Sequence, residues 1–368
     1  MPTLAITQDT ISVRLEQFHL ELINRPPSGD REAPNERLHV PLHDVERVVL
    51  IGCPGVSIAV LHRLMKMGIP VSFVSAQHRW LGSLSSENPG NAERRILQYK
   101  RCCDETFRLF ISSELISCKI RNSRRVLQRL SAPRNESSAP RQIRISQDLE
   151  LLQRKVEAVP SGMDELRGLE GLPAALYFER LSDFFPPELP FEERSRQPPR
   201  NEANSLLSWT YSIVLGELFS QIRIHGLDPY IGVLHATSFH KPSLALDLLE
   251  LFRAPLCDML VMHLLNHKIL RKEHFIKTVE NGVYLKPEAR ALFFPSYESA
   301  MTRMFTVKAG TGHTCFRRKS SPDRRRNLRT SVKAGTGHTC FRSLLERQVL
   351  MMIRILEEQK EYEFFRMP

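Results

Sequence analysis

The chain lacks any apolar run long enough to cross a bilayer. Its longest stretches, Val48–Ile51, Val71–Val74 and the broken run Leu256–Leu265, fall short of the roughly 20 residues a spanning helix needs. Met1 to Val13 contains Asp9 and has neither a basic start nor a long apolar segment, so no secretory leader is expected. Cysteine is sparse. Cys53, Cys102, Cys103, Cys118, Cys257, Cys315 and Cys340 are odd in number and show no C-x-x-C spacing. That excludes a disulfide framework and suits thiols kept reduced in a cytoplasm. Acidic residues are the minority, 41 against 52 Lys and Arg, for a formal net charge of +11. Such a balance favours polyanionic partners, because Lys and Arg displace condensed counterions from phosphates.

With 368 residues, 42% of them hydrophobic, the chain can build one large or two ordinary domains. The first eighty residues read as strands. Thr3–Thr7, Ile11–Leu15, Phe18–Ile23, Arg47–Ile51 and Val71–Ser75 are short apolar segments separated by turn residues. One helix interrupts them, with Ile58, Leu61, Leu64 and Met65 on a common face. From about Asn91 the period becomes helical, and Ile96, Tyr99, Cys103, Phe107 and Phe110 fall on one stripe amid basic residues. Ser131–Arg141 reads as a flexible connection, while Asn204–Gly226, Pro242–Ile269 and Ser343–Tyr362 read as helices. The fold class expected is α+β. It divides into a β-rich domain over 1–82, a linker over 83–90 and a helical catalytic domain over 91–368.

One feature stands apart. Val307–Arg317 (VKAGTGHTCFR) recurs unchanged at Val332–Arg342. An identical copy twenty-five positions on points to a recent tandem duplication rather than a solenoid, whose repeats drift and exceed two. The intervening Arg318–Ser331 has almost no apolar residue, so 306–342 is expected to be a partly disordered insert. His313, Cys315, His338 and Cys340 offer zinc a two-His, two-Cys set, but His-Thr-Cys is not a usual finger spacing.

Three places look chemical. Gly168-Leu169-Glu170-Gly171 sets a carboxylate between glycines at what reads as a helix start, where it can also simply favour the helix dipole. The loop Gly226–His235 delivers a histidine after a short apolar segment, a placement equally open to a core residue. Asp247 and Glu250, three apart in an apolar helix, share a face beside the core. Acids placed there need a cation, whether a metal or Arg253. Two Glu, one His and a nearby Asp form a hard site suited to Mg²⁺ or Mn²⁺.

Read together, several strings resemble the CRISPR-associated spacer-acquisition integrase family. They are Val40–Leu50, Gly52–Ser57, Gly68–Phe73, Leu166–Phe178, Pro198–Leu207, Gly226–His235 and above all Asp247-Leu-x-Glu-x-Phe-Arg253. The resemblance implies a small β-domain before a helical catalytic domain. It maps metal ligands onto Glu170, His235 and Glu250, with Asp247 a further catalytic acid. It also implies endonuclease activity and insertion of captured DNA into the CRISPR array by transesterification, on double-stranded and branched DNA. The enzyme would act in the prokaryotic cytoplasm, as homodimers joined by a small CRISPR-associated partner protein. On that basis Arg94, Arg95, Arg121, Arg124, Arg125, Arg200, Lys241 and Arg253 are candidates for gripping phosphates. Pro173 and Leu176 depart from the small and basic residues expected near Glu170. With the duplication, that departure keeps a non-catalytic DNA-binding scaffold subunit as the alternative.

Overall fold

The computed structural model describes residues 3–24, 36–86, 92–137, 139–158, 160–235, 241–278, 280–307, 337–358 and 363–368. Strands dominate as far as Leu84: β1 (Thr3–Ile6), β2 (Ile11–Glu16), β3 (His19–Asn24), β4 (Glu36–Pro41), β5 (Arg47–Ile51), β6 (Gly55–Val56), β7 (Val71–Val74) and β8 (Trp80–Leu84). Helix α1 (Ile58–Lys66) lies between β6 and β7. One sheet runs β1-β5-β7-β8, parallel up to β7 and antiparallel at β8; the other runs β4-β3-β2-β6. β5 is buried at every residue, which explains its unbroken apolar run, whereas β2 and β3 keep one face in water and alternate. A small core of Leu4, Ile6, Val13, Leu20, Val48, Leu50, Val60 and Leu64 closes between the sheets and α1.

The rest is helical, with α2 (Ala92–Cys103), α3 (Glu105–Ser131), α4 (Pro140–Glu157), α5 (Met163–Leu181), α6 (Glu202–Ile224), α7 (Ser243–Leu249) and α8 (Met259–Asn266). A hairpin of β9 (Phe275–Lys277) and β10 (Val283–Leu285) precedes α9 (Pro287–Thr302). β11 (Phe305–Val307) then pairs with β12 (Gly337–Thr339), which leads into α10 (Phe341–Leu356). The α+β expectation holds. Among the described residues no helix is long and apolar enough to cross a membrane.

α6 is the central post, with Leu206, Leu207, Trp209, Val214, Leu218 and Ile222 all buried. Each such aliphatic side chain contributes roughly 1.5–3 kcal/mol on burial. The strand region docks against it through Trp80 on Phe219 and through a buried ionic knot of Arg47, Glu217 and Tyr297. His78 is packed edge-on to Trp209, and burial pushes its pKa down to about 3, so it sits there neutral.

Several expectations need correction. The stripe from Ile96 to Phe110 is cut at Asp104, whose carboxylate caps α3 by accepting from Thr106 and Phe107 N–H. Ile96, Tyr99, Cys103 and Phe110 are exposed, and the residue α2 buries is Gln98. Pro242–Ile269 is three pieces rather than one helix: α7, a π-helical turn Arg253–Asp258, and α8. Pro255 is the cause. It has no N–H to offer the Leu251 carbonyl, which accepts instead from the Asn122 side chain at 3.1 Å. The connection Ser131–Arg141 contains a 3₁₀ turn at Ala132–Arg134, and Glu136 pairs with buried Arg180 at 2.6 Å. Of the expected insert, 308–336 lies outside the described residues. Its second copy does not stand apart from the fold. Phe341 meets Phe305 and Phe365, and Arg342 bonds Glu298 at 2.9 and 3.0 Å and pairs with Glu217 at 3.4 Å.

Candidate active site

Four elements bring the site together. α3 supplies Lys119, α5 supplies Glu170, the loop after α6 supplies His235, and the end of α7 supplies Glu250. Glu170 is not at a helix start. α5 begins at Met163 with Asp164 and Glu165 in its first turn, so Glu170 has no capping role to perform. Instead it is a partly exposed side chain reaching Lys119, whose ammonium lies 2.6 Å from its Oε1.

The loop carrying His235 is set by two glycines. Gly226 ends α6 at φ +80°, a left-handed conformation that glycine adopts without strain. Gly232 passes so close to α7 that an added Cβ would lie 2.4 Å from Asp247 Oδ2 and 2.9 Å from Leu244 N. That approach lets the fully buried Asp247 carboxylate accept from Val233, Leu234 and His235 N–H at 2.7, 3.0 and 2.9 Å. It also accepts from His235 Nδ1 at 2.7 Å. Four donors converge on this one carboxylate, so Asp247 positions the loop and the imidazole. With Nδ1–H directed to Asp247, His235 Nε2 is left with its lone pair free, 3.9 Å from Glu250 Oε1. Burial opposes protonation of His235, but the hydrogen bond and charge of Asp247, helped by Glu250, outweigh it and raise its pKa.

Glu250 is nearly as buried as Asp247, its side chain 2% exposed. Burial pushes its pKa up, but Arg253 at 3.0 Å and Lys119 at 2.8 Å overcome this and hold it down to about 2. Its Oε2 is buried and accepts no aligned hydrogen bond, the Lys119 approach being an ion pair only. The Arg253 pairing expected from the sequence is therefore present. Behind it, Asp258 accepts from Tyr211 at 2.6 Å and Tyr177 at 2.8 Å, and burial raises its pKa to about 6.

His235, Asp247 and Glu250 are thus in direct register, while Glu170 joins them through Lys119. Glu170, His235 and Glu250 do not bring their ligand atoms within 4.8 Å of one another. Among the described residues the one such group is Glu16, Glu21 and His39, exposed or partly so on the β2–β3–β4 sheet. Lys119 is not among the residues that reasoning from the sequence singles out. No periodicity marks it, because the acids it meets lie 51 and 131 positions away in the chain.

The phosphate-gripping candidates divide. Arg253 is partly buried, over the Tyr211 ring and paired with Glu250, and Arg94 is engaged with the His225 carbonyl at 2.9 Å and with Glu357. Arg124 pairs with Glu150, and Arg125 bonds the Pro368 carbonyl, yet with Arg121 they line an open groove between α3 and α4. Arg95 lines a second depression with Tyr99 and Tyr230. Arg200 and Lys241 are exposed. For the zinc alternative, His313 and Cys315 lie outside the described residues; Cys340 Sγ stands 3.4 Å from Ser343 Oγ.

Comparison with known proteins follows the same line. The family model described as CRISPR associated protein Cas1 matches residues 4–299. The "CRISPR-associated endonuclease Cas1 1" of Thermodesulfovibrio yellowstonii is 33% identical over 275 residues, covering 74% of this chain and 85% of that one. A casposase bound to integration product shares the fold at TM-score 0.79 and 22% identity, over 100% of this chain and 94% of its own. A chain of a Cas6-RT-Cas1–Cas2 complex matches at TM-score 0.74 and 21% identity, over 100% of this chain and 36% of that longer one. The chain belongs to the CRISPR-associated Cas1 family.

Proposed function

We propose that the chain is a divalent-metal-dependent DNA endonuclease and integrase of CRISPR adaptation, with Glu170, His235 and Glu250 holding Mg²⁺ or Mn²⁺. The observation carrying this reading is the Asp247–His235–Glu250 arrangement. Asp247 accepts from Nδ1–H and leaves Nε2 free 3.9 Å from Glu250 Oε1, while the buried Glu250 Oε2 meets the Lys119 ammonium at 2.8 Å. Two carboxylates and one imidazole without thiolate fit a hard cation. When bound, that ion would supply Lewis-acid stabilisation of charge on a phosphodiester and a more acidic attacking hydroxyl.

The residues themselves position and balance charge. Asp247 keeps one tautomer and one ring orientation at His235, and Arg253 keeps Glu250 ionised. In the reaction proposed, a 3′-oxygen of captured DNA forms a bond to phosphorus at the repeat border. The P–O3′ bond of the target strand breaks, and the departing 3′-oxygen takes up a proton to replace the one the attacking hydroxyl lost. One phosphodiester replaces another, so no external energy source is needed. The naming of a relative as an endonuclease and the likeness to a casposase on its integration product support this. The likeness to a chain of a Cas6-RT-Cas1–Cas2 complex supports a CRISPR-associated partner protein. Homodimers bridged by that partner, acting on double-stranded or branched DNA in a prokaryotic cytoplasm, complete the proposal.

The test is joining of a short duplex with free 3′-hydroxyls into a supercoiled plasmid carrying a leader and repeat, with Mn²⁺ or EDTA and the partner added. Metal-dependent joining by wild type, lost in Glu170→Ala, His235→Ala and Glu250→Ala, is the expected result. Retained joining removes the residue concerned from the site. A folded protein that binds DNA and joins nothing would establish the scaffold reading instead.

A further inference from the structure

Lys119 has a role that neither the motif nor the comparisons assign. Its ammonium stands between the two carboxylates, 2.6 Å from Glu170 Oε1 and 2.8 Å from Glu250 Oε2. These are the oxygens that the proposed function gives to a divalent ion, and the inference rests on that reading. An ion held by carboxylates at about 2.0–2.2 Å must approach the same lone pairs. A dication and an ammonium cannot share them at contact, because their mutual repulsion in a partly dry site is strong. The side chain of Lys119 is 18% exposed, so it has a way out. Its four-carbon stem lines a cleft that also holds Ser123, Arg196 and Arg253.

We propose that Lys119 competes with the catalytic divalent ion for Glu170 and Glu250. Metal uptake releases its ammonium into the cleft beside Arg196, where it meets a phosphate of the DNA strand. Lys119 is in this sense a positioning residue. It holds two like charges together before the metal does, and gives the 2%-exposed Glu250 carboxylate a second cation beside Arg253. In trading partners it ties metal loading to DNA engagement.

Two measurements on the full-length chain test this. Mn²⁺ affinity, read by electron paramagnetic resonance of free Mn²⁺, is expected to rise at least tenfold in Lys119→Met and to return toward wild type in Lys119→Arg. A residue needed only for folding would weaken or abolish metal binding when removed. In wild type, acetylation of Lys119 by an activated ester, followed by peptide mass spectrometry, is expected to speed up severalfold on adding Mg²⁺. The other lysines serve as internal references. This second experiment needs no variant, so it stands even if Lys119→Met fails to fold. Mn²⁺ bound by wild type with unchanged Lys119 reactivity overturns the competition and leaves the metal site standing. Absence of Mn²⁺ binding by wild type overturns both.

Discussion

Removing residues 308–332 should leave a working and slightly more stable protein. Because Val307–Arg317 and Val332–Arg342 are identical, the deletion restores a single VKAGTGHTCFR between Thr306 and Ser343. The described part of the second copy is packed into the fold. β11 pairs with β12 of the second copy, Thr306 opposite His338, and Phe341 and Arg342 of that copy enter the core beside Phe305, Glu217 and Glu298. The deletion touches none of these contacts. It shortens the stretch of chain between β11 and β12 from the twenty-nine residues 308–336 to Lys333-Ala334-Gly335-Thr336. Loop closure entropy scales as 1.5RT times the logarithm of length, so the gain is about 1.8 kcal/mol at most. A shift of about 2–3 °C in Tm, followed by circular dichroism, is the upper expectation. Two point variants separate the copies. Arg342→Ala leaves Glu217 and Glu298 short of a partner and should cost about 3 kcal/mol or more. Arg317→Ala, the same residue type in the first copy, should cost less than about 0.5 kcal/mol. A shortened chain less stable than wild type by about 1 kcal/mol or more would refute the assignment. So would equal damage from the two arginine variants.

Asp247→Asn keeps the size of a buried side chain but cannot accept from every donor that converges on it; metal affinity should fall about 10- to 100-fold by calorimetry while the fold survives. Gly232→Ala should reach the same loss of metal affinity from the other side, because its Cβ has no room against Asp247; unchanged affinity would show that the loop can shift freely. Stability should also depend on Asp258. Its folded pKa of about 6 stands above the ordinary aspartate value of 3.8, so the protonated form is favoured on folding. The stabilisation is full below the unfolded pKa and is lost as pH rises through about 6. The difference in urea stability between Asp258→Asn and wild type should therefore move by about 3 kcal/mol in favour of the variant from pH 3.5 to pH 7. A pH-independent difference would exclude this linkage.

What could be read from the sequence followed from local pattern. β5 is visible as Arg47–Ile51 because a strand buried on both faces must be apolar throughout, and α6 because its apolar residues recur over more than twenty positions. The loop to His235 is visible through Gly226 and Gly232, whose backbone geometry and close packing admit no ordinary side chain. The break after α7 was hidden. Pro255 announces it only when its missing N–H is matched to the Leu251 carbonyl, and the compensating donor, Asn122, lies 129 positions away. β4 and β8 were hidden for a different reason. Their residues are mostly exposed or half-buried, so they carry little apolar signal, and only pairing to β3 and β7 makes them strands.

The same distinction orders the site. Its acids and its histidine are legible because each is bound to a local device: Asp247 and Glu250 to a three-residue step, His235 to a glycine-punctuated loop. Its cations are not. Arg253 is near enough in sequence to Glu250 to be suspected, at i+3, but Lys119 belongs to a helix whose basic residues otherwise face a separate groove. Whether a lysine on α3 grips DNA or neutralises buried acids depends on which side of the helix faces α5 and α7. On α3 that side is where Ile116 and Ile120 line the cleft beside Glu170 and Glu250, with Lys119 set between them. A charge on that side is forced toward the acids, whereas Arg121, Arg124 and Arg125 are turned to the groove. Charge composition alone would have counted all four as equivalent phosphate contacts; the side of α3 they occupy separates the one that answers Glu250 from the three that do not.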